Sequence, residues 1–325
     1  MKIIRDYRDF PSTLRSTLTI GNFDGLHLGH RRLLRDMVAT ARQSGTVPVL
    51  VTFAPHPLKF LNPSKAPKLL FNLQQKSQQV GDLGVEYILV LRFDEVLSKL
   101  SGEEFIRKIL VDHLRVMHVF VGREFVFGHH RSGNVSLLKE FGERNDFRVH
   151  VVPPVSIRGT RVSSTWLRDL IEKGKMSLAN RLMERCYSVA GRVTAGAGLG
   201  RTVLFPTLNL KVDSESEILP ARGVYVTLAN FGGRARPAVT NIGIRPTVGG
   251  TQETIETHVL DEVLEYPPDF LEIQFLHRLR NEQKFPSVAA LREQIHLDIR
   301  RASRFFRLLA LIRNRPKPTM PLAPS

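Results

Sequence analysis

The hydrophobic pattern of the first half of the chain alternates between two periods. Short apolar runs of strand length take turns with segments in which apolar residues recur at helical spacing, at 16–21, 31–43, 48–53, 74–83 and 87–93. This strand, helix, strand order predicts parallel βαβ units in an α/β sheet. Such a sheet binds its ligand at the carboxyl ends of its strands.

The pattern changes after about residue 190. Short β-type runs separated by glycine and proline follow at 187–193, 223–229, 237–242, 256–260 and 271–276. Regularly spaced short strands predict a sandwich or a small barrel. From Ser287 onward, apolar residues recur every three or four positions, which predicts a final amphipathic helix with Ser287 as its N-cap.

The length of 325 residues suggests two domains. The change of pattern places the boundary between residues 173 and 187, which gives a first domain of 1–183 and a second of 184–312. The remaining residues, 313–325, contain four prolines and predict a flexible tail.

Composition narrows the class of protein. With 42% hydrophobic and 24% charged residues, the chain fits a globular protein rather than a disordered chain or a fibre. The single cysteine, Cys186, excludes an intrachain disulfide and a cysteine-cluster metal site, and predicts a reducing compartment. The charged N-terminus and the lack of apolar runs near ~20 residues predict a cytoplasmic protein without a membrane partner.

The charge excess indicates either an anionic ligand or a surface charge that only keeps the protein soluble. The chain has 47 Lys and Arg residues against 31 Asp and Glu, a net charge of +16. This excess suits nucleic acid, an anionic membrane surface or a phosphorylated small molecule, and net charge alone does not choose among them. No zinc finger or aromatic-rich RNA motif is present and only 8% of residues are aromatic, which weakens the case for nucleic acid.

Glycine and histidine cluster at 21–30, between a strand-like run and a helix-like segment. Glycine lets the backbone approach a ligand closely, and a helix N-terminus favours an anion. His27 and His30 are three positions apart, so both can face one phosphate group. Either protonated or as neutral donors, they would stabilise charge that develops on phosphorus in a transition state.

Three hydroxyl side chains open a second helix-like segment at 163–165, after a β-type run. Arg168 follows one turn later. Hydroxyl and guanidinium donors in this arrangement suit a triphosphate, because arginine can donate two parallel hydrogen bonds to phosphate oxygens.

These motifs resemble those of one family. The stretches at 21–30, 53–57, 121–133 and 163–168 are similar to the adenylyltransferase half of bacterial bifunctional riboflavin kinase/FAD synthetases. The resemblance implies an α/β Rossmann-like nucleotidyltransferase domain. It also implies that the FMN phosphate attacks the α-phosphorus of ATP and releases pyrophosphate, with no covalent enzyme intermediate.

The same resemblance assigns residues to this first site. His27, His30 and Arg168 are the expected catalytic groups, and together with Ser164 they are expected to grip the ATP phosphates. The expected nucleotide-binding residues are Gly21, Asn22, Phe23, Asp24, Gly25, His27, Gly29, His30, Ser163, Ser164, Thr165 and Arg168. The expected flavin-binding residues are Pro55, His56, Glu124 and Phe125.

The second half has candidate groups of its own. Thr207 and Asn209 lie two apart on a strand-like run, so both oxygens can reach one Mg²⁺ or one phosphate. Glu256 offers a carboxylate that can take a proton from an alcohol. A glycine-rich loop can wrap phosphates with its N–H groups, although its spacing is also typical of a β-turn; its residues are Gly196, Gly198, Gly200 and Arg201.

Further stretches in this half resemble the riboflavin kinase half of the same family, at 223–225, 241–247, 256–258, 284–285 and 294–298. The resemblance implies an all-β six-stranded barrel kinase domain packed by a C-terminal helix. Thr207 and Asn209 are then expected to bind Mg²⁺-ATP, and Glu256 to be the general base on the ribityl 5′-hydroxyl of riboflavin. The whole chain is expected to convert riboflavin to FMN and FMN to FAD; the sequence indicates no oligomeric state.

Departures from the family pattern keep alternatives open. Glu124 stands where the family has Asp or Asn, which affects the expected rate of adenylyl transfer. Leu204 and Leu208 stand where the family has Gly and Ala, so the alternative is an FAD synthetase whose kinase domain is weakened or regulatory. The other alternative, motivated by the charge of +16, is a nucleic-acid-binding protein with a nucleotidyltransferase-like fold.

Overall fold

The structure is a computed structural model that describes residues 1–194, 206–212, 217–247, 250–260, 262, 264 and 266–313. These residues form two compact units. The first contains Met1–Arg168, Leu182–Glu184 and the described part of Glu215–Ile218, and the second contains the other described residues. Because 169–181 belong to the second unit and 182–184 to the first, the boundary after residue 183 stays a prediction.

A parallel six-stranded sheet forms the centre of the first unit. Its strands are β1 Lys2–Ile4, β2 Ser16–Ile20, β3 Val47–Ala54, β4 Tyr87–Arg92, β5 Val116–Gly122 and β8 Arg148–Val152. They are ordered β1-β4-β3-β2-β5-β8. Two short antiparallel pairs lie outside the sheet, β6 Val126–Phe127 with β7 Gly133–Asn134 and β9 Ser156–Ile157 with β10 Thr160–Arg161.

Helices connect and follow these strands. They are α1 Leu28–Ser44, α2 Pro57–Leu61, α3 Leu73–Asp82, α4 Glu95–Lys99, α5 Gly102–Phe105, α6 Val135–Arg144, α7 Ser164–Glu172 and α8 Met176–Met183. Helix α5 continues directly into a π-helix at Ile106–His113. Three short 3₁₀ helices lie at Tyr7–Asp9, Pro63–Lys65 and His129–Arg131. The helical spacing at 31–43 and 74–83 therefore predicted α1 and α3 correctly.

Helix α1 shows why its sequence folds locally. The His27 side chain caps it by accepting the backbone N–H of His30, and Gly45 ends it in the left-handed conformation, with φ of 64°. Its fully buried residues recur at steps of three and four, which directs one apolar face into the core; they are Leu34, Met37 and Ala41.

The order of strands reverses beside β2. This strand pairs with β3 on one side and with β5 on the other. In open α/β sheets such a reversal leaves a crevice at the carboxyl ends of the strands, and ligands bind there. The segment 21–27, which joins β2 to α1, lies at this point.

The second unit is built on a closed antiparallel barrel, which confirms the predicted barrel. Its strands are β11 Tyr187–Thr194, β12 Leu208–Lys211, β13 Gly223–Phe231, β14 Arg234–Thr247, β15 Gly250–Val259 and β16 Phe270–Asn281. They close in the order β11-β12-β15-β14-β13-β16. Three buried threonines link neighbouring strands: the hydroxyl of Thr240 on β14 is hydrogen-bonded to those of Thr227 on β13 at 2.8 Å and Thr257 on β15 at 2.9 Å.

The last helix, α9, spans Val288–Arg313. Ser287 caps it, because its hydroxyl accepts the N–H of Ala290. The buried Asp298 of α9 accepts two hydrogen-bonding contacts from Arg280 on β16, both at 2.9 Å. The predicted flexible tail at 313–325 lies outside the described residues from residue 314 on. Among the described residues, no helix has the length and apolar character to cross a membrane.

Candidate functional site

The segment between β2 and α1 has an unusual backbone. Phe23, Gly25 and Leu26 all have positive φ, at 46°, 83° and 39°. At Gly25 a side chain is excluded for a second reason, because a Cβ would lie 2.6 Å from Leu70 and 2.9 Å from Leu167. Such conformations cost free energy and persist only where neighbouring groups impose them. The side chains of Phe23 and Leu26 are buried and hold the segment to the core.

Asp24 is the main polar anchor of this segment. Its buried carboxylate accepts the backbone N–H groups of Leu70 and Phe71 at 3.0 to 3.2 Å. It also forms an ion pair with Arg168 on α7. The backbone carbonyl of Asp24 accepts the hydroxyl of Ser164 at 2.7 Å. One residue therefore joins the segment after β2, the segment before α3 and the start of α7.

The two motif histidines lie face to face. The rings of His27 and His30 are stacked with centroids 3.8 Å apart, and the ring of Phe23 contacts the other side of His30 at 4.7 Å, so His30 is the middle ring of the three. Burial lowers the pKa of His27 to about 4 and lowers the pKa of His30 well below its ordinary value. Of the two states that the sequence left open, burial therefore favours the neutral imidazoles.

The Nδ1 atom of His30 is buried and, within the part of the chain that the structure describes, has no hydrogen-bond partner. Buried polar atoms are normally bonded, so an unpartnered one marks a place where a ligand atom is expected. This ligand position lies at the N-terminus of α1, which also favours an anion.

A second cluster lies beneath the same segment. The Asn22 carbonyl accepts the Lys76 ammonium at 2.7 Å and the Thr52 hydroxyl at 3.4 Å, and the Asn22 side chain lies 2.9 Å from Nε2 of His56. Burial lowers the pKa of His56. The sequence analysis assigned no role to Lys76. The available signal was its place on α3 one turn before the buried Val80.

The hydroxyl residues open α7 as expected, but their bonds are within the protein. Ser163 accepts the N–H of Trp166, and Thr165 is exposed. The guanidinium of Arg168 donates to Asp24 and to the Lys68 carbonyl. Contact of Ser164 and Arg168 with ATP phosphates therefore stays a prediction.

The residues expected to bind flavin lie in two places of the first unit. Pro55 and His56 follow β3, and the Nδ1 atom of His56 caps α2 by accepting the N–H of Leu58. Glu124 and Phe125 follow β5. Glu124 forms an exposed ion pair with Arg161, while Phe125 stacks on Phe127 with centroids 5.3 Å apart.

In the barrel, the strand pattern brings two predicted residues together. Asn209 on β12 is directly opposite Glu256 on β15. The next pair along the two strands, Leu208 and Thr257, is buried and therefore faces the inside of the barrel. Asn209 and Glu256 thus share the outer face at cross-strand distance. Asn241 on β14 is paired with Glu256 on its other side.

Thr207 precedes β12 and lines an open cleft with an empty volume of about 460 Å³. The Nδ1 atom of His258 lies 2.9 Å from the Pro206 carbonyl, which ties this segment to β15. The predicted glycine loop and the departure at position 204 lie outside the described residues; the loop residues are Gly196, Gly198, Gly200 and Arg201.

Each half of the chain matches a known protein family. Residues 10–166 match the family described as FAD synthetase, and residues 183–306 match the family described as riboflavin kinase. A bifunctional riboflavin kinase/FMN adenylyltransferase from Escherichia coli (strain K12) is 36% identical over 311 residues, which cover 95% of this chain and 99% of the relative. The protein of that description from Haemophilus influenzae is 33% identical, over 94% of this chain and 99% of its own.

The fold has a solved counterpart. A crystal structure described as a macrolide-efflux protein from Streptococcus pneumoniae superposes with a TM-score of 0.82 and 26% identity, covering 91% of this chain and 96% of that one. That description concerns the other protein, and the superposition supports the fold. With both domain families in order and relatives at 33 to 36% identity over nearly their whole length, the chain belongs to the bifunctional riboflavin kinase/FMN adenylyltransferase family.

Proposed function

We propose that the barrel unit phosphorylates riboflavin to FMN and that the parallel-sheet unit adenylylates FMN to FAD, with ATP as the donor in both steps. Membership of the family supports this pair of activities. We place the enzyme in the cytoplasm, which the single cysteine supports, and assign it small-molecule substrates rather than nucleic acid.

The stacked pair of imidazoles at the start of α1 is the observation that carries the first assignment, and burial, which lowers the pKa of both, favours their neutral form. The phosphate of FMN attacks the α-phosphorus of ATP, and the bond to pyrophosphate breaks. His27 and His30 donate hydrogen bonds to the phosphate oxygens as charge develops there. A neutral imidazole already carries the N–H that it donates, so no protonation has to precede the reaction.

The remaining residues of this step surround the histidines. Gly21 and Gly29 let the nucleotide approach the backbone, Gly25 allows the positive-φ turn between them, and the hydroxyl groups of α7 together with Arg168 complete the phosphate site. Flavin binds between the segment after β3 and the segment after β5, at Pro55, His56, Glu124 and Phe125.

The kinase assignment rests on the pairing of Asn209 with Glu256. Glu256 takes the proton of the ribityl 5′-hydroxyl of riboflavin as that oxygen attacks the γ-phosphorus of ATP, and ADP leaves. Such transfers depend mainly on positioning and charge stabilisation, and a general base contributes typically ~10²- to 10⁴-fold.

Mg²⁺ fits the residues beside Glu256. Thr207 and Asn209 offer a hydroxyl and an amide oxygen, which are the hard donors that this ion takes, and ATP phosphates and water would complete its six ligands. When bound, the ion neutralises charge on the phosphates. The ion is expected to arrive with ATP, because Mg²⁺ is usually held by a few protein oxygens together with substrate phosphates.

One assay tests both activities. The purified chain is incubated with riboflavin and Mg²⁺-ATP, and the flavins are separated by chromatography. Appearance of FMN and then FAD supports the proposal. FAD formed from added FMN, with no FMN formed from riboflavin, would instead support the synthetase with a weakened kinase domain.

A matched binding measurement addresses the nucleic-acid alternative. Duplex and single-stranded oligonucleotides are titrated into the protein at moderate salt, since phosphate contacts made by basic side chains weaken steeply as salt rises. Binding at micromolar concentration or tighter would revive that alternative.

A further inference from the structure

Lys76 joins two elements to the segment after β2. Its ammonium donates to the Asn22 carbonyl at 2.7 Å and lies 3.5 Å from the hydroxyl of Thr52. The Thr52 hydroxyl also donates to the Asn22 carbonyl. That one oxygen therefore receives donors from α3 and from β3, one residue before the positive-φ backbone begins at Phe23.

The charge of Lys76 is costly at this place. Burial lowers the pKa of the ammonium, and the carboxylate of Asp24 acts in the opposite direction. The cation in turn lowers the pKa values of His30 and His56. An apolar residue one turn before the buried Val80 would carry no such cost, so the ammonium is expected to serve the site.

We propose that Lys76 is a positioning residue for adenylyl transfer. Its ammonium holds the Asn22 carbonyl, and with it the segment 21–25, in the shape that presents His27 and His30 to the phosphates. This role rests on the proposed function of the first unit. It acts through the backbone and requires no contact between Lys76 and substrate.

Hydrogen exchange tests the positioning without reference to activity. Amide exchange is measured by mass spectrometry on the full-length protein and on K76M, in which the stem is retained and the charge is removed. We expect faster exchange in peptides that cover 21–30, and unchanged exchange in the barrel strands. The matched control is K139M, an exposed lysine on α6. Unchanged exchange at 21–30 in K76M would overturn the proposal.

Kinetics test the consequence for the reaction. For FAD formation from FMN and Mg²⁺-ATP, K76M is expected to lose about 10- to 100-fold in kcat, the effect of a lost charged hydrogen bond, with KM for ATP within about threefold. Phosphorylation of riboflavin by the same preparation is expected to stay unchanged. A kcat within twofold of the unaltered enzyme would contradict the proposal, whereas absence of FAD formation in the unaltered enzyme would contradict the proposed function.

Chemical rescue separates the ammonium from packing. K76C is prepared in a C186S background, because Cys186 is the sole native cysteine, and is alkylated with 2-bromoethylamine to give a lysine analogue with sulfur in its stem. The alkylated protein is expected to regain at least a tenth of the kcat of C186S and its slow exchange at 21–30. If K76C stays inactive and fast-exchanging after alkylation, or if K76M is too unstable to fold while alkylated K76C folds without activity, Lys76 is a packing residue and the proposal fails.

Discussion

The carboxylate of Asp24 is ion-paired with the guanidinium of Arg168 while it accepts the backbone N–H groups of Leu70 and Phe71. Asp24 is 2% exposed. The charges are therefore poorly screened, and each needs the other to remain buried. Because Arg168 lies on α7 and Asp24 lies in the histidine-bearing segment, this pair sets the position of that segment against the helix.

Replacement of Asp24 by Asn is expected to destabilise the first unit by about 3–5 kcal/mol, because it leaves the Arg168 charge buried and unpaired. FAD formation is expected to fall with it. The measurement is denaturant unfolding followed by fluorescence of Trp166, the sole tryptophan of the chain, which lies two residues before Arg168.

The matched control is E184Q. Glu184 pairs with Arg31 and Arg35 of the same unit, but at the surface, where such pairs contribute about 0–1 kcal/mol. Equal losses of stability in D24N and E184Q would show that burial does not distinguish the two ion pairs.

Burial of His27 makes the first unit sensitive to acid. The pKa of His27 in the folded protein, about 4, lies below its ordinary value of 6.5. Between these two pH values His27 is therefore protonated in the unfolded chain and neutral in the folded protein. Stability is therefore retained above pH 6.5 and lost as the pH falls toward 4. The expected loss from this residue is about 2 kcal/mol between pH 7 and pH 5.

H27N is expected to lose this part of the pH dependence while its side chain still caps α1, since Asn is a good N-cap residue. Unfolding is measured at both pH values through Trp166 fluorescence. H130N, at an exposed histidine of the same unit, serves as the control. A slope in H27N equal to that of the unaltered protein would mean that His27 titrates normally.

Local sequence pattern predicted most of the fold for identifiable reasons. The helical period of α1, the strand runs of β2, β3 and β4 and the step pattern after Ser287 depend on residues close in sequence, and all three were predicted correctly, whereas β1 and β5 were not predicted. The π-helix at 106–113 was not predicted, because its apolar residues fit an α-helical period almost as well.

The site was predicted in its residue types but not in its contacts. His27 and His30 are three residues apart, and the helix brings them together. The bonds of Asp24 to Leu70 and of Lys76 to Asn22 join residues 46 and 54 positions apart, and such contacts depend on how strands and helices pack. For the same reason the sequence predicted that Arg168 binds the ATP phosphates but did not predict its ion pair with Asp24.

Glu124, the residue that departs from the family, forms an exposed ion pair with Arg161. E124N removes the carboxylate and leaves the Arg161 guanidinium available to an anionic substrate. Because an exposed pair is worth at most about 1 kcal/mol, we expect a rise in kcat/KM for FAD formation of about twofold to fivefold and no change in stability. The measurement is initial rates at varied FMN.

The control for this substitution is E140Q, which breaks an exposed pair with Arg144 on α6. It is expected to leave kcat/KM unchanged. A lower kcat/KM in E124N would indicate that the carboxylate itself contributes to adenylyl transfer.

Glu256 and Asn209 face each other across β15 and β12, so a change at Glu256 tests the kinase site alone. E256Q keeps the shape of the side chain but cannot accept the proton of the riboflavin hydroxyl. FMN formation is expected to fall at least about 100-fold, within the range for loss of a general base, and FAD formation from added FMN is expected to be unchanged. E253Q, on the same strand and paired only loosely with Arg222 at 3.8 Å, is the control and should keep both activities. A folded E256Q protein that loses both reactions, or that still phosphorylates riboflavin at the normal rate, would contradict the assignment of the two steps to separate units.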